Sequence, residues 1–287
     1  MRRAKPLILV LAIAGFILAS EGAVRALGLV DFPLYDADAE LGYIPRANQA
    51  GTYLRSREWN FNYLHMGGGD FQPSGSRGVI VIGDSVVLGG NPYSAGERLG
   101  PQLAAATGRN VWTVAAGSWA FRNQLAYLKR FPEVLGSDAE IIFVVNSADF
   151  DEASSWQCDV THPRAAPFSA LIYLVNKQFL RICDSAAALS LKVPPGDWRV
   201  EAPEFLRKRG VVFFLYPSRS ELDSPKELAA LRRRAEELKQ AGAERVYDVS
   251  RDSRWSADLY RDSVHPTPRG NRVLARIMAA PDPNLWL

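Results

Sequence analysis

The sequence predicts an α/β fold in which an open parallel sheet is covered by helices on both faces. Short, continuous apolar runs that end in glycine or a polar residue recur along the chain: GVIVIGDS (78–85), RNVWTVAAG (109–117), AEIIFVVNS (139–147) and GVVFFLYPS (210–218), with RVYDVS (245–250) as a weaker fifth. Such runs suit strands buried on both faces. Helix-like segments alternate with them around 97–107, 121–135, 224–241 and 268–280. Strand and helix in strict alternation imply crossover connections and hence parallel strands.

The helix at 224–241 has the clearest local signals. Ser224 can cap it, Pro225 suits the first turn, and Glu227 stands where a capping box requires an acid. Leu228, Leu231, Ala235 and Leu238 share one face, and Gly242 ends the run. Its basic triplet, Arg232 to Arg234, is followed by Glu236, Glu237 and Lys239. At helical spacing these acids offset the arginines, so the run predicts a solvated face and no nucleic-acid patch. The net charge of +3 on 287 residues agrees with that. With 47% hydrophobic and 23% charged residues, the chain has the balance of a globular protein with one sizeable core.

Before the first strand the character changes. Arg2, Arg3 and Lys5 precede an uncharged stretch from Pro6 to Ser20, the pattern of an export signal. Those residues alone span only ~22 Å as a helix, but continuing through Val24 reaches the ~30 Å of a hydrocarbon core. Glu21 and Arg25 would then lie at the interface. An uncleaved anchor over residues 1–30 is the expectation. A signal peptide cleaved near Ser20-Glu21-Gly22 is the alternative, and it would leave a secreted protein. Either places the main domain outside the cytoplasm, where Cys158 and Cys183 can be reduced or bridged. Residues 31–77 lack a helical period and predict extended pieces and turns packed on a main domain at 78–287. Residues 148–208 interrupt the alternation and read as an insertion.

In open α/β sheets the chemistry gathers at the carboxyl ends of the strands. There stand Ser85, Gly117 and Asn146, and beyond the fifth strand Asp262-Ser263-Val264-His265. A serine hydroxyl becomes a nucleophile when an imidazole takes its proton and a carboxylate orients that imidazole. Asp262, three residues before His265, can serve in a tight turn, leaving the other ring nitrogen for Ser85. The N–H groups of Ser85 and Gly117 and the side-chain amide of Asn146 supply donors for an oxyanion. His65 and His162 are assigned structural roles, with no metal site expected. GGNPYSAG is no nucleotide loop, and no cofactor is expected. Trp59, Trp119, Trp156 and Trp198 are candidates for a carbohydrate groove, with packing the plainer reading.

GDSVVLGG, the Gly117 turn, Asn146 and DSVHPTPRGNRVLA together resemble the four sequence blocks of SGNH (GDSL-like) hydrolases over roughly residues 78–280. The resemblance implies a flavodoxin-like three-layer α/β/α sandwich. It also implies a Ser85–His265–Asp262 triad, with Ser85, Gly117 and Asn146 as oxyanion donors. The third block departs from the family's Gly-x-Asn-Asp, reading Val144-Val145-Asn146-Ser147 with Asp149 shortly after. The anchor followed by DFPLYDADAELGYIPRANQAG is similar to membrane-tethered SGNH proteins of bacterial envelopes, which act on acyl groups of polysaccharides. The function expected is therefore an esterase or deacylase on acyl, such as acetyl, esters of a periplasmic glycan, working beside polysaccharide biosynthesis or export proteins. A polysaccharide O-acyltransferase with the same triad, and a non-catalytic glycan-binding or scaffold module, are the alternatives.

Overall fold

In the computed structural model of the chain, the described residues are 4–74, 78–90, 92–208 and 211–287, with backbone alone for 4–6, 207 and 208. Arg2, Arg3, the Lys5 side chain, Asn91 of GGNPYSAG and Gly210 of the fourth run therefore lie outside the described residues.

The chain opens with a helix, α1 (Ala4–Ala26), then two hairpins: β1 (Tyr35–Asp38) with β2 (Gly42–Pro45), and β3 (Gln49–Tyr53) with β4 (Arg57–Phe61). The alternating region follows as β5 (Val79–Gly83), α2 (Ser85–Leu88), α3 (Leu99–Thr107), β6 (Val111–Ala115), α4 (Phe121–Arg130), α5 (Pro132–Gly136) and β7 (Glu140–Val145). Next come α6 (Ala170–Val175), α7 (Ser185–Ser190), α8 (Trp198–Lys208), β8 (Val212–Leu215), α9 (Arg219–Asp223), α10 (Pro225–Gln240), β9 (Arg245–Asp248) and α11 (Pro268–Ala279). The five apolar runs form one sheet, all parallel, in the order β6-β5-β7-β8-β9. That is the flavodoxin-like order.

Alternation along the strands feeds two separate cores. Ile80, Ile82, Phe143 and Phe213 point to one face, where α4, α5, α8 and α10 cover them. Val79, Val81, Ile142 and Phe214 point to the other, under α2, α3 and α11. Tyr43, Ile44, Leu64 and Met66 of the N-terminal hairpin region are buried in the first core. Gly67 also bridges to Thr113 on the outer edge of β6, so this region covers a strand edge that would otherwise be open.

Two helix boundaries differ from the sequence reading. The segment 121–135 is broken at Phe131, because Pro132 has no N–H to give and disfavours a helical residue before it. The segment 97–107 begins as a separate turn, and the helix proper starts at Leu99 and ends at Gly108, whose φ of 66° makes a left-handed cap. Within 148–208, α8 buries Trp198, Ala202 and Phe205 in the first core. The end of that interruption is thus a covering helix of the sheet, and the segment that stands apart ends before it.

Cys158 and Cys183 are joined by a disulfide across 25 residues of sequence. Closing a loop of that length restricts the unfolded chain by about 3 kcal/mol. The double substitution Cys158→Ala/Cys183→Ala should therefore lower the Tm by several degrees under non-reducing conditions. A variant melting with the wild type in a thermal scan would mean that the bridge contributes nothing to stability.

Candidate active site

β5 is buried throughout and ends at Gly83. A Cβ there would fall 2.8 Å from the Val144 carbonyl and 2.5 Å from Val87, so only glycine lets the strand turn this closely into α2. Asp84 caps the turn by accepting the Val86 N–H at 2.8 Å. Ser85, the first residue of α2, is left half-buried at the carboxyl edge of the sheet.

His265 reaches it from the opposite end of the chain. Its Nε2 lies 2.9 Å from Ser85 Oγ, and its Nδ1 lies 3.0 Å from both oxygens of Asp262. The turn between these two residues is tight because Asp262 Oδ1 also accepts the N–H groups of Val264 and His265, at 3.0 and 2.8 Å. Burial alone would raise the Asp262 carboxyl. The two backbone donors and the His265 ring outweigh it and hold the group well below the usual range. Asp262 is therefore an ionised acceptor at neutral pH, which orients the ring so that Nδ1 donates and Nε2 faces the serine. The surrounding loop is pinned to the sheet. Tyr216 donates to the Val264 carbonyl at 2.6 Å, the Arg219 N–H to Ser263 at 2.9 Å, and Tyr93 to the carbonyl of Pro266.

Gly117 follows β6 at the neighbouring strand end. Its carbonyl accepts the Tyr43 hydroxyl at 2.6 Å, which turns its peptide, and Ser118 after it has a φ of 61°. A Cβ on Gly117 would meet only His162 Nε2, at 3.8 Å, so the backbone here faces open space. The N–H groups of Ser85 and Gly117 donate to no described residue.

Asn146 is at the end of β7 as expected, but its amide is engaged. Nδ2 donates to Asp84 Oδ2 at 3.2 Å and to Asp149 Oδ1 at 3.0 Å, while Oδ1 accepts the Ala148 N–H at 2.9 Å. Two buried carboxyls thus share one amide. Burial pushes both upward, Asp149 well above the ordinary range because the Asp84 charge adds to it. The altered third block explains this arrangement. With the acid three residues after Asn146, a capping box forms and Asp149 turns back onto the asparagine.

Three residues near the site were not among the site candidates read from the sequence. Tyr43 comes from the N-terminal hairpins, and Asp149 acquires its place only by the turn after β7. His162 packs on Tyr35 and Tyr43 with ring centroids 4.9 and 4.0 Å away. Burial pushes its pKa down to about 4, so it stands neutral beside Gly117. Its Nδ1 is shared with Thr161 at 3.1 Å. His65 is structural, with Nδ1 2.8 Å from the Pro45 carbonyl. Trp59, Trp119, Trp156 and Trp198 are all buried and line no open groove as a set. Arg232 and Arg233 are exposed on α10, while Arg234 is half-buried, with its guanidinium over the Phe150 ring and paired with Glu237 at 2.9 Å.

No protein-family model matches the chain, and no curated protein matches it. Solved structures do. A member of the lipolytic G-D-S-L family from Veillonella parvula DSM 2008 is 18% identical, with a TM-score of 0.40 over 70% of this chain and 96% of its own. A protein assigned to the SGNH hydrolases from Slackia heliotrinireducens is 18% identical, with a TM-score of 0.39 over 71% of this chain and 98% of its own. A lipase from a goat rumen metagenome is 14% identical, with a TM-score of 0.41 over 70% of this chain and 95% of its own.

The Asp84–Asn146–Asp149 cluster has a measurable pH signature. A carboxyl raised by folding stabilises fully below its unfolded pKa of ~4 and loses that contribution as pH rises. Removing the shared amide raises both carboxyls further. Asn146→Ala should therefore cost about 2–3 kcal/mol near pH 8 and clearly less near pH 4. Thermal melts at the two pH values check this, and an equal loss at both would mean that the amide does not hold ionised carboxylates.

Proposed function

We propose that the protein is a membrane-anchored serine esterase that removes acyl groups, acetyl among them, from an extracytoplasmic glycan. The observation that carries the chemistry is the continuous path from Asp262 through His265 to Ser85, at 3.0 and 2.9 Å. In this reading Ser85 Oγ attacks the ester carbonyl while His265 Nε2 takes its proton. The oxyanion accepts from the free N–H groups of Ser85 and Gly117. Asn146 would add a third donor only by leaving Asp84 or Asp149. The imidazolium, stabilised by Asp262, then protonates the departing sugar oxygen. Water, deprotonated by the same imidazole, releases the acid and restores Ser85.

The anchor reading has its own support. Leu7–Ala26 is helical, has a mean hydropathy of 2.3 and is unburied. Its 20 residues give a length of ~30 Å, the thickness of a hydrocarbon core. Glu21 and Arg25 bind the folded domain, so cleavage near Ser20 to Gly22 would discard contacts that the domain uses.

The full-length protein in detergent should turn over p-nitrophenyl acetate. Ser85→Ala, His265→Ala and Asp262→Asn should each lower kcat by roughly a thousandfold or more, without a matching loss of Tm. Variants as active as the wild type would refute the triad. An acylated glycan then separates hydrolysis from transfer. Loss of glycan mass with release of free acid supports the deacylase, and a gain in acceptor mass without free acid assigns an O-acyltransferase. A wild type that neither turns over ester nor labels at Ser85 with a fluorophosphonate would instead be a binding module.

A further inference from the structure

The loop closed by Cys158 and Cys183 carries an unusual surface. Phe168, Ile172, Val175, Phe179, Leu180 and Ile182 all stand in the open, with Ile172 71% and Phe179 76% exposed and Phe168 wholly so. They recur at about one-turn spacing along α6 and the π-helical turn Asn176–Leu180 that continues it. Single exposed apolar side chains are ordinary, but a run of six in fifteen residues marks a surface that meets something apolar.

The position of this segment identifies the occupant. Glu21, in the last turns of α1, accepts the Ser169 hydroxyl at 3.0 Å and the N–H groups of Ala170 and Leu171 at 2.8 and 3.0 Å. Arg25 donates to the carbonyls of Pro167 and Phe168 at 3.1 and 2.8 Å and to Glu21 at 2.7 Å. The start of α6 is thereby fastened beside the end of the 20-residue apolar stretch. A helix of that length crosses the hydrocarbon core with little to spare, so its final turn lies at the boundary with the headgroups. Whatever is docked against that turn lies at the same depth. Arg181 is exposed in the same segment and pairs with no described carboxylate, as suits a surface facing anionic headgroups, while the Lys177 ammonium turns inward over the Phe32 and Tyr173 rings.

We infer that the apolar face of residues 168–182 beds in the headgroup–acyl boundary of the bilayer that α1 spans, making a second, in-plane membrane contact. The inference rests on the anchor reading of α1. Interfacial segments of this kind sink by ~5–10 Å and combine apolar burial with attraction to anionic lipid. The disulfide and the Tyr173 hydroxyl, which donates to the Val160 carbonyl at 3.1 Å, close the loop on itself, and the Tyr35 N–H and the Arg46 guanidinium brace it against the domain by donating to the Pro163 and Arg164 carbonyls at 2.8 and 2.7 Å. His162, beside Gly117, belongs to the same loop. Bedding would therefore hold the catalytic edge at a set orientation to the membrane surface.

The test uses the full chain reconstituted into phosphatidylcholine/phosphatidylglycerol vesicles. Single cysteines at Ile172→Cys, Phe179→Cys, Phe16→Cys and Val200→Cys carry an environment-sensitive fluorophore. All four positions are more than half exposed, Val200 (79%) lying on α8 away from the loop, so the label displaces little. Labels at 172 and 179 should be quenched at least twofold more by lipids spin-labelled near the headgroup than the label at 200, and Phe16→Cys should respond to deep spin labels. Quenching at 16 with 172 and 179 no different from 200 would keep the anchor but overturn the bedding, assigning the face to a protein partner. No quenching at 16 would overturn the anchor and the bedding with it.

Discussion

A parallel sheet cannot leave either face in water, and that constraint organises this protein. The strands β5, β7 and β8 carry large apolar side chains to both sides, so each face needs its own layer of helices. Once both layers are in place, every crossover returns the chain to the same end of the sheet. The carboxyl ends of β5, β6 and β7 then lie side by side. Ser85, Gly117 and Asn146 become neighbours because their strands pair, although 61 residues separate the first from the last.

The candidate site draws on this rigidity at two levels. Ser85 is held by a turn of one residue, Asp84, out of a buried strand, with Gly83 removing the Cβ that would block it. His265 has no strand of its own. It depends on a loop fastened by tyrosine hydroxyls from β8's end and from the segment after α2, and by Asp262 folding back on its own backbone. Such fastening is what fixes an imidazole to within hydrogen-bond reach of a hydroxyl 180 residues away. The buried carboxyl pair behind Asn146 has the opposite character. It places two acids where neither is well solvated, a local cost that the sheet's stability must absorb.

The additions outside the sheet are tied to the site and not merely appended. Tyr43 from the N-terminal hairpins bonds the Gly117 carbonyl, and His162 from the disulfide-closed loop packs on Tyr43. The same loop is bonded to the end of α1. A chain of direct contacts therefore runs from the apolar helix through the loop to the strand end beside Ser85.

By itself, the sequence determined the sheet, its covering helices and the apolar character of α1, and it named Ser85, Asp262 and His265 as site candidates. These follow from periodicity, caps and strand-end placement, all local properties within a few turns of chain. It left the two cysteines open and could not see that Asn146 would be shared between Asp84 and Asp149. Nor did it foresee that Glu21 and Arg25 would grip the loop at 167–171. Those outcomes depend on which distant segments meet, and hydrogen bonds between residues far apart in sequence leave no period to read. Only tertiary packing decides them, because a buried polar group takes whatever partner the fold brings within reach.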